Sequence, residues 1–426
     1  MRASQIISLV VWTTPAWAQI PDATEGRGIK VGDGLVLHPG LMVDTAYDSN
    51  LHYAAGTDAP DEHIVGSPYL RFTGHLDLAS LPAQRLGGSQ PKLDLRVNGA
   101  VSYREYLKDD KAVKKLRALD LEGGFRATFN PQGLVHFRIF DQFARLRQPR
   151  NSEGPFNITR DRNRAGAELG ARPGGGTVSA AVGYEFDVEF YEEDLQSDPV
   201  GDPGNPDSLW HIVTGAGKWK FLPKTAATLD VAYSIYDKDN GVLIMSGEPA
   251  YQDSTALRTY AGVVGLLTPR VTATFKAGYG RANYDADEDF GGVIGKADVE
   301  WRATPRTRLN LGYERSFQDS VAANFYVDDE LYAVFEQRIA SRWQLTLEPG
   351  VRFRRYESYR EQFDPGGMEA GRDDTLGELH AGLAFYTFPW FLVGGAYNLE
   401  VNASGWRGGE GEYSKHVVLL RLEAAF

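Results

Sequence analysis

The sequence predicts an all-β protein, a transmembrane antiparallel up-and-down β-barrel of about eighteen strands, sixteen being the smaller alternative. Three observations predict it. Side chains alternate between polar and apolar over most of the chain, the joints between strands alternate between short and long, and no helices are available to cover the apolar faces. The alternation is plainest at Glu185, Asp187 and Glu189, which interleave with Tyr184, Phe186, Val188 and Phe190. A side-chain period of two sends the carboxylates to one face and the apolar residues to the other. A sheet closed on itself in a bilayer, apolar outside and polar inside, satisfies that pattern without a further layer. No run of eighteen apolar residues occurs, so a bundle of membrane helices is excluded. A mean hydropathy of -0.36 fits a barrel, because only alternate strand residues meet lipid.

The first element is a secretory signal peptide, residues 1–18. Arg2 supplies positive charge, Ile6 to Trp12 form a short apolar stretch, and Ala16-Trp17-Ala18 is a small-x-small cleavage site. Cleavage is expected after Ala18, and Thr13-Thr14-Pro15 breaks the stretch too early for a buried N-terminal helix. Residues 19–34 then form a short periplasmic segment, too brief for a plug domain, and the barrel occupies 35–426. The chain has no cysteine, so disulfides contribute nothing. Its formal charge of -12 argues against nucleic acid as a partner.

Within the barrel the short joints are Asn130 to Gly133, Arg172 to Gly174, Leu222 to Lys224, Thr268 to Arg270, Thr304 to Arg306, Ala340-Ser341 and Phe388 to Trp390. Most hold a proline, which presets the first corner of a tight turn and cannot donate to a ladder. Between them lie longer connections, among them Asp48 to Val65, Lys108 to Val113, Pro149 to Asn157, Glu192 to Asp207, Asp237 to Asp253, Asp319 to Ala322 and Glu357 to Asp373. Barrels of the outer membrane put the turns on the periplasmic side, so an even strand number with both termini periplasmic follows. The stretch from Ser80 to Pro91 departs from the rule, being long where a turn is due.

A weak repeat supports the hairpin unit. Pro223 to Tyr233, Pro269 to Tyr279 and the shorter Pro305 to Tyr313 each begin at a turn, alternate, and end on tyrosine. A soluble propeller also repeats, in units of four strands, but loop lengths carry no such period. Aromatics fall into two girdles: Trp219, Phe221, Trp301, Trp343, Phe388, Trp390 and Phe391 beside the turns, and Tyr103, Tyr106, Tyr233, Tyr236, Tyr279, Tyr284 and Tyr313 toward the loops.

The polar faces should line a lumen. Candidate lining residues are Arg162, Arg164, Glu185, Asp187, Glu189, Arg352 and Arg354, within a longer ring in which the two signs roughly balance. Such density of charge needs water or partners, and a barrel of sixteen to eighteen strands encloses an aqueous channel. Two readings stand: a solvated wall of salt bridges, or a permeation path whose arginines and tyrosines contact a polar or sugar-like solute. The loops Glu192 to Asp207 and Glu357 to Asp373 are long enough to constrict the mouth. The acidic Asp285-Ala-Asp-Glu-Asp289 lacks the glycine and distal glutamate of a calcium loop and reads as a solvated outer loop, with divalent-cation binding as its alternative. No histidine sits at a spacing that forces a catalytic triad, so no catalytic residue, cofactor or metal ligand is expected.

The last strand, Tyr413 to Phe426, alternates His416, Val418, Leu420, Leu422, Ala424 and Phe426 against Lys415, Arg421 and Glu423. This end resembles bacterial outer-membrane proteins, whose barrel-assembly machinery reads a final amphipathic strand closing on an aromatic. That resemblance makes Phe426 the assembly signal. The opening Thr45-Ala-Tyr-Asp-Ser-Asn-Leu-His-Tyr53, with the turn from Thr304 to Tyr313, resembles the outer-membrane β-barrel porins encoded beside exopolysaccharide export systems in proteobacteria and myxobacteria. The resemblance implies a Gram-negative outer-membrane location among lipid and lipopolysaccharide. It also implies a polysaccharide route through the membrane and periplasmic polysaccharide-export proteins as partners. A general or solute-specific diffusion porin and a non-conducting structural or adhesive barrel remain as alternatives.

Overall fold

A computed structural model describes residues 28–54, 64–81, 92–147, 159–191, 207–238, 252–285, 288–320, 323–357, 371–405 and 411–426. The expected cleavage site at Ala18 and most of the two long loops expected to constrict the mouth lie outside the described residues.

A three-residue strand β1 (Ile29–Val31) precedes eighteen long ones. The first half of the wall is β2 (Leu35–Asp48), β3 (Ser67–Ser80), β4 (Leu93–Tyr106), β5 (Ala118–Phe129), β6 (Val135–Arg147), β7 (Thr159–Ala171), β8 (Val178–Tyr191), β9 (Ser208–Leu222) and β10 (Thr225–Lys238). The second half is β11 (Ser254–Thr268), β12 (Val271–Tyr284), β13 (Phe290–Thr304), β14 (Thr307–Asp319), β15 (Phe325–Ile339), β16 (Trp343–Glu357), β17 (Arg372–Phe388), β18 (Phe391–Ser404) and β19 (Tyr413–Ala425). Each pairs antiparallel with its sequence neighbours, and β19 returns to pair with β2 from Val417↔Asp48 to Ala425↔Gly40. The fold class is therefore the expected one, a closed barrel of eighteen strands, and closure leaves every long strand with two partners.

The seam is built with care for backbone donors. Below the end of β19, β1 takes over the free edge of β2, pairing Ile29↔Leu37 through Val31↔Leu35. Pro39 sits between the two partners, where it has no N–H to satisfy, and its carbonyl accepts from the Phe426 N–H at 2.9 Å. Pro349 follows the same rule: the β15–β16 ladder skips from Tyr332↔Gly350 to Phe335↔Leu347 around it. Across the seam, buried Asp44 of β2 accepts from Arg71 Nε of β3 at 2.8 Å and from Arg421 Nε of β19 at 2.9 Å. Lys415 of β19 pairs with Asp48 at 3.1 Å.

Strand residues alternate between buried inward positions and exposed outward ones, as at Lys415, Val417, Leu419, Arg421 and Glu423 against His416, Val418, Leu420 and Leu422. The lower girdle is present: Trp219, Phe221, Trp301, Trp343, Phe388 and Trp390 are all exposed beside the short turns, whereas Phe391 is half-buried. The upper girdle needs correcting. Tyr103, Tyr233, Tyr279 and Tyr313 face outward, but Tyr106, Tyr236 and Tyr284 are buried inside, because an odd spacing along a strand reverses the face.

Two further departures concern the outer face and the loops. The outward side of β6 and β7 carries polar residues satisfied among themselves, Arg145 with Asp161 at 3.0 Å and Asn163 with Asp141 at 3.3 Å. In the connection after β4 a short helix α1 (Lys111–Lys115), capped by Asp110 accepting from the Ala112 N–H at 2.8 Å, drops Val113 into a cluster with Leu51, Tyr69 and Tyr106. The tight turn after β15 is made by Ala340 and Ser341 with φ of 49° and 63°. Both positions favour glycine or asparagine, so this joint holds strain that the surrounding ladder sustains.

Candidate functional site

The inward wall is a lattice of ion pairs, and alternation explains why. Two strands with charges at every second position bring those charges together on one face once they pair. On β7 and β8, Arg160 reaches Glu189 at 3.2 Å, Arg162 Nε reaches Asp187 at 2.9 Å, and Arg164 reaches Glu185 at 2.6 Å. Arg162 also approaches Glu189 at 3.6 Å. Five of the seven candidate lining residues thus form one cluster.

The other two belong to a second cluster. Arg354 grips Asp328 with both arms at 2.9 and 3.0 Å and lies over the Tyr326 ring at 3.8 Å. Arg352 meets Glu330 at 3.3 Å, with Asp328 at 3.7 Å and Glu378 at 3.8 Å. Strands β7 and β16 stand nine places apart in a ring of eighteen, so the two clusters occupy opposite sides of the lumen. Sequence reading could not give that relation, since it depends on closure. In both clusters the guanidinium forks are engaged by carboxylates of the wall.

Further pairs complete the wall, with Arg96, Lys276 and Asp230 from the longer ring expected of the sequence and Arg138, Glu168 and Asp77 outside that expectation. Arg138 pairs with Glu168 at 2.6 Å, Arg96 with Asp77 at 2.8 Å, and Lys276 with Asp230 at 2.7 Å. Asp44 and Arg71 of the seam were equally legible by parity, but they lie in strands whose inward face also holds Val36, Met42, Ala46 and Ala79.

What narrows the upper end is a hairpin. The β13–β14 ladder stops at Gly295↔Arg315, while β14–β15 continues up to Asp319↔Phe325. Freed from β13, the tip leans inward across β13, β12 and β11. Phe317 is fully buried there, stacked on Phe290 with ring centroids 4.1 Å apart and covered by Arg258 at 4.1 Å. Asp319 accepts from Ser254 Oγ at 2.7 Å and Tyr284 OH at 3.1 Å, and the Ser320 carbonyl takes the Lys238 ammonium of β10 at 3.5 Å. Every one of those partners is an inward residue, so the tip lies within the barrel mouth. No sequence signal marked this connection, one of the shortest of the loops.

A recess of about 460 Å³ opens in the lower wall of β3 to β9. Gly124 and Gly183 border it without side chains, and Arg96, Arg126, Arg138 and Arg164 border it with Asp77, Glu168 and Glu185. Among the described residues no group of histidines and carboxylates is arranged to hold a metal ion.

The profile of the family described as "Putative beta-barrel porin 2" matches residues 150–426, well over half of the chain. This protein belongs to that family. Membership makes it an outer-membrane porin-type barrel, a channel protein rather than an enzyme. Among solved structures, a BenF-like porin from Pseudomonas fluorescens Pf-5 is similar at a TM-score of 0.51 and 9% identity, over 93% of this chain and 100% of the other. Pseudomonas aeruginosa OprD matches at 0.45 and 10% identity, over 96% and 99% of the two chains. The first likeness speaks for the fold alone, and the second is too distant to add to it. No curated protein matches the sequence.

Proposed function

We propose that this family member is a water-filled channel for polar, hydroxyl-bearing solutes. The observation that carries the reading is the inward lattice of ion pairs on both sides of the ring, set against an outward belt of exposed apolar side chains. Charged groups at that density are stable only where water reaches them. The inward lean of the β14–β15 tip favours passage of small solutes over passage of a bulky polymer. Export of an exopolysaccharide, with periplasmic export proteins as partners, rests on the resemblance of the opening strand and the Thr304 to Tyr313 turn. Insertion through the barrel-assembly machinery would use Phe426, whose ring is exposed at the lower seam.

The test is reconstitution. In planar bilayers the purified protein should give stable ohmic steps, and liposomes carrying it should swell in monosaccharides faster than in oligosaccharides. Absence of any conductance would overturn the reading. A deletion strain that loses surface polysaccharide while taking up small solutes normally would instead favour export.

A further inference from the structure

We infer that the recess in the wall of β3 to β9 is a subsite for the carboxylate of a polyhydroxylated solute, with Arg126 as its anion receptor. The inference deepens the channel reading and rests on it for the route by which such a solute arrives.

The argument begins with charge. Four arginines border the recess and three carboxylates oppose them, each of which is taken by a different arginine: Asp77 by Arg96, Glu168 by Arg138 and Glu185 by Arg164. Arg126 is left over. Among the described residues its side chain has no carboxylate and no hydrogen-bond partner, and it is exposed to the lumen. It also stands directly across the ladder from Arg96, a like-charge pairing that is unfavourable without an anion. The vacant fork is therefore preset for a carboxylate, which it can take with two parallel bonds.

The surroundings define what else the ligand carries. Gly124, on the same strand and face as Arg126 and two residues from it, has no side chain, and its ladder partners are Asn98 on one side and Gln142 on the other. Both amides border the space, with the Thr214 hydroxyl on its far wall and the Phe140 ring as an apolar face. Amides, a hydroxyl and a flat ring beside one unmatched guanidinium suit a sugar acid better than a simple halide or an aliphatic carboxylate.

The probe is D-glucuronate, with D-glucose as the neutral control. Millimolar glucuronate should reduce single-channel current through the wild-type protein, and equal glucose should not. Arg126→Gln should raise the half-blocking concentration about tenfold or more, the usual loss for a charge-assisted bond. Arg126→Lys should fall between, keeping the charge and losing the fork. Equal block of wild type and Arg126→Gln, or equal block by glucose, would overturn the inference. Calorimetry in detergent separates the two readings. Glucuronate binding lost in Arg126→Gln, in a barrel that conducts nothing, would sustain the subsite and sink the channel. Conduction without any glucuronate binding would do the reverse.

Discussion

Replacing Phe317 by alanine should release the inward hairpin. The ring is fully buried, lies 4.1 Å from the Phe290 centroid and carries the Arg258 guanidinium at 4.1 Å on its face. Truncating a buried phenylalanine costs about 3–5 kcal/mol, to which the cation–π contact adds about 0.5–2 kcal/mol. The tip borders water, so the lower end, about 3 kcal/mol, is the appropriate figure. That loss is local, because the ladder below Gly295↔Arg315 is untouched. It multiplies the ratio of displaced to seated tip by roughly a hundred. A tip displaced about 1% of the time would then be displaced for on the order of half of it. Single-channel recording should show the wild type resting at one level and Phe317→Ala moving between that level and a larger one. Phe317→Leu, which keeps most of the apolar volume, should visit the larger level less often. The absence of native cysteine allows a direct check on the same variants: Ser254→Cys with Asp319→Cys should be bridged by a short thiol reagent in the parent and less readily with Phe317→Ala. A Phe317→Ala trace identical to wild type would refute the claim that this cluster seats the tip in the conducting path.

Other outcomes follow from the wall and the seam. Asp44→Ala leaves Arg71 and Arg421 without their shared acid and should destabilise closure by about 3–5 kcal/mol, seen as a lower temperature for loss of the compact band in detergent gels. Asp187→Ala should also be harmful because it leaves Arg162 with the longer contact to Glu189, whereas the double change Arg162→Met with Asp187→Leu should be milder than Asp187→Ala alone, as thermal melts would record. Ala340→Asn with Ser341→Gly supplies residues suited to two successive positive φ angles and should raise stability by about 1–2 kcal/mol in urea unfolding from micelles. Deleting Phe426 removes the outward ring and the N–H that meets Pro39, and the fraction of protease-resistant protein in outer-membrane preparations should fall.

Sequence alone determined the barrel, its approximate strand number and the location of its turns, because a period of two and proline-marked corners are local signals. It also placed Glu185, Asp187 and Glu189 together on one face of their strand. The same parity assigns Tyr106, Tyr236 and Tyr284 to the interior, each an odd number of residues beyond an outward tyrosine on its own strand, although the aromatic grouping had suggested one upper girdle. Only the tertiary structure decided who meets whom. Ring closure set β7 opposite β16 and brought Arg71, Asp44 and Arg421 together from three strands. The early end of the β13–β14 ladder turned one of the shortest loops into the inward hairpin. The recess takes its lining from seven strands, β3 to β9, with Gly124 of β5 and Gly183 of β8 adding no side chain to it. Such contacts depend on register and shear between strands distant in the chain, and alternation within one strand carries no information about either.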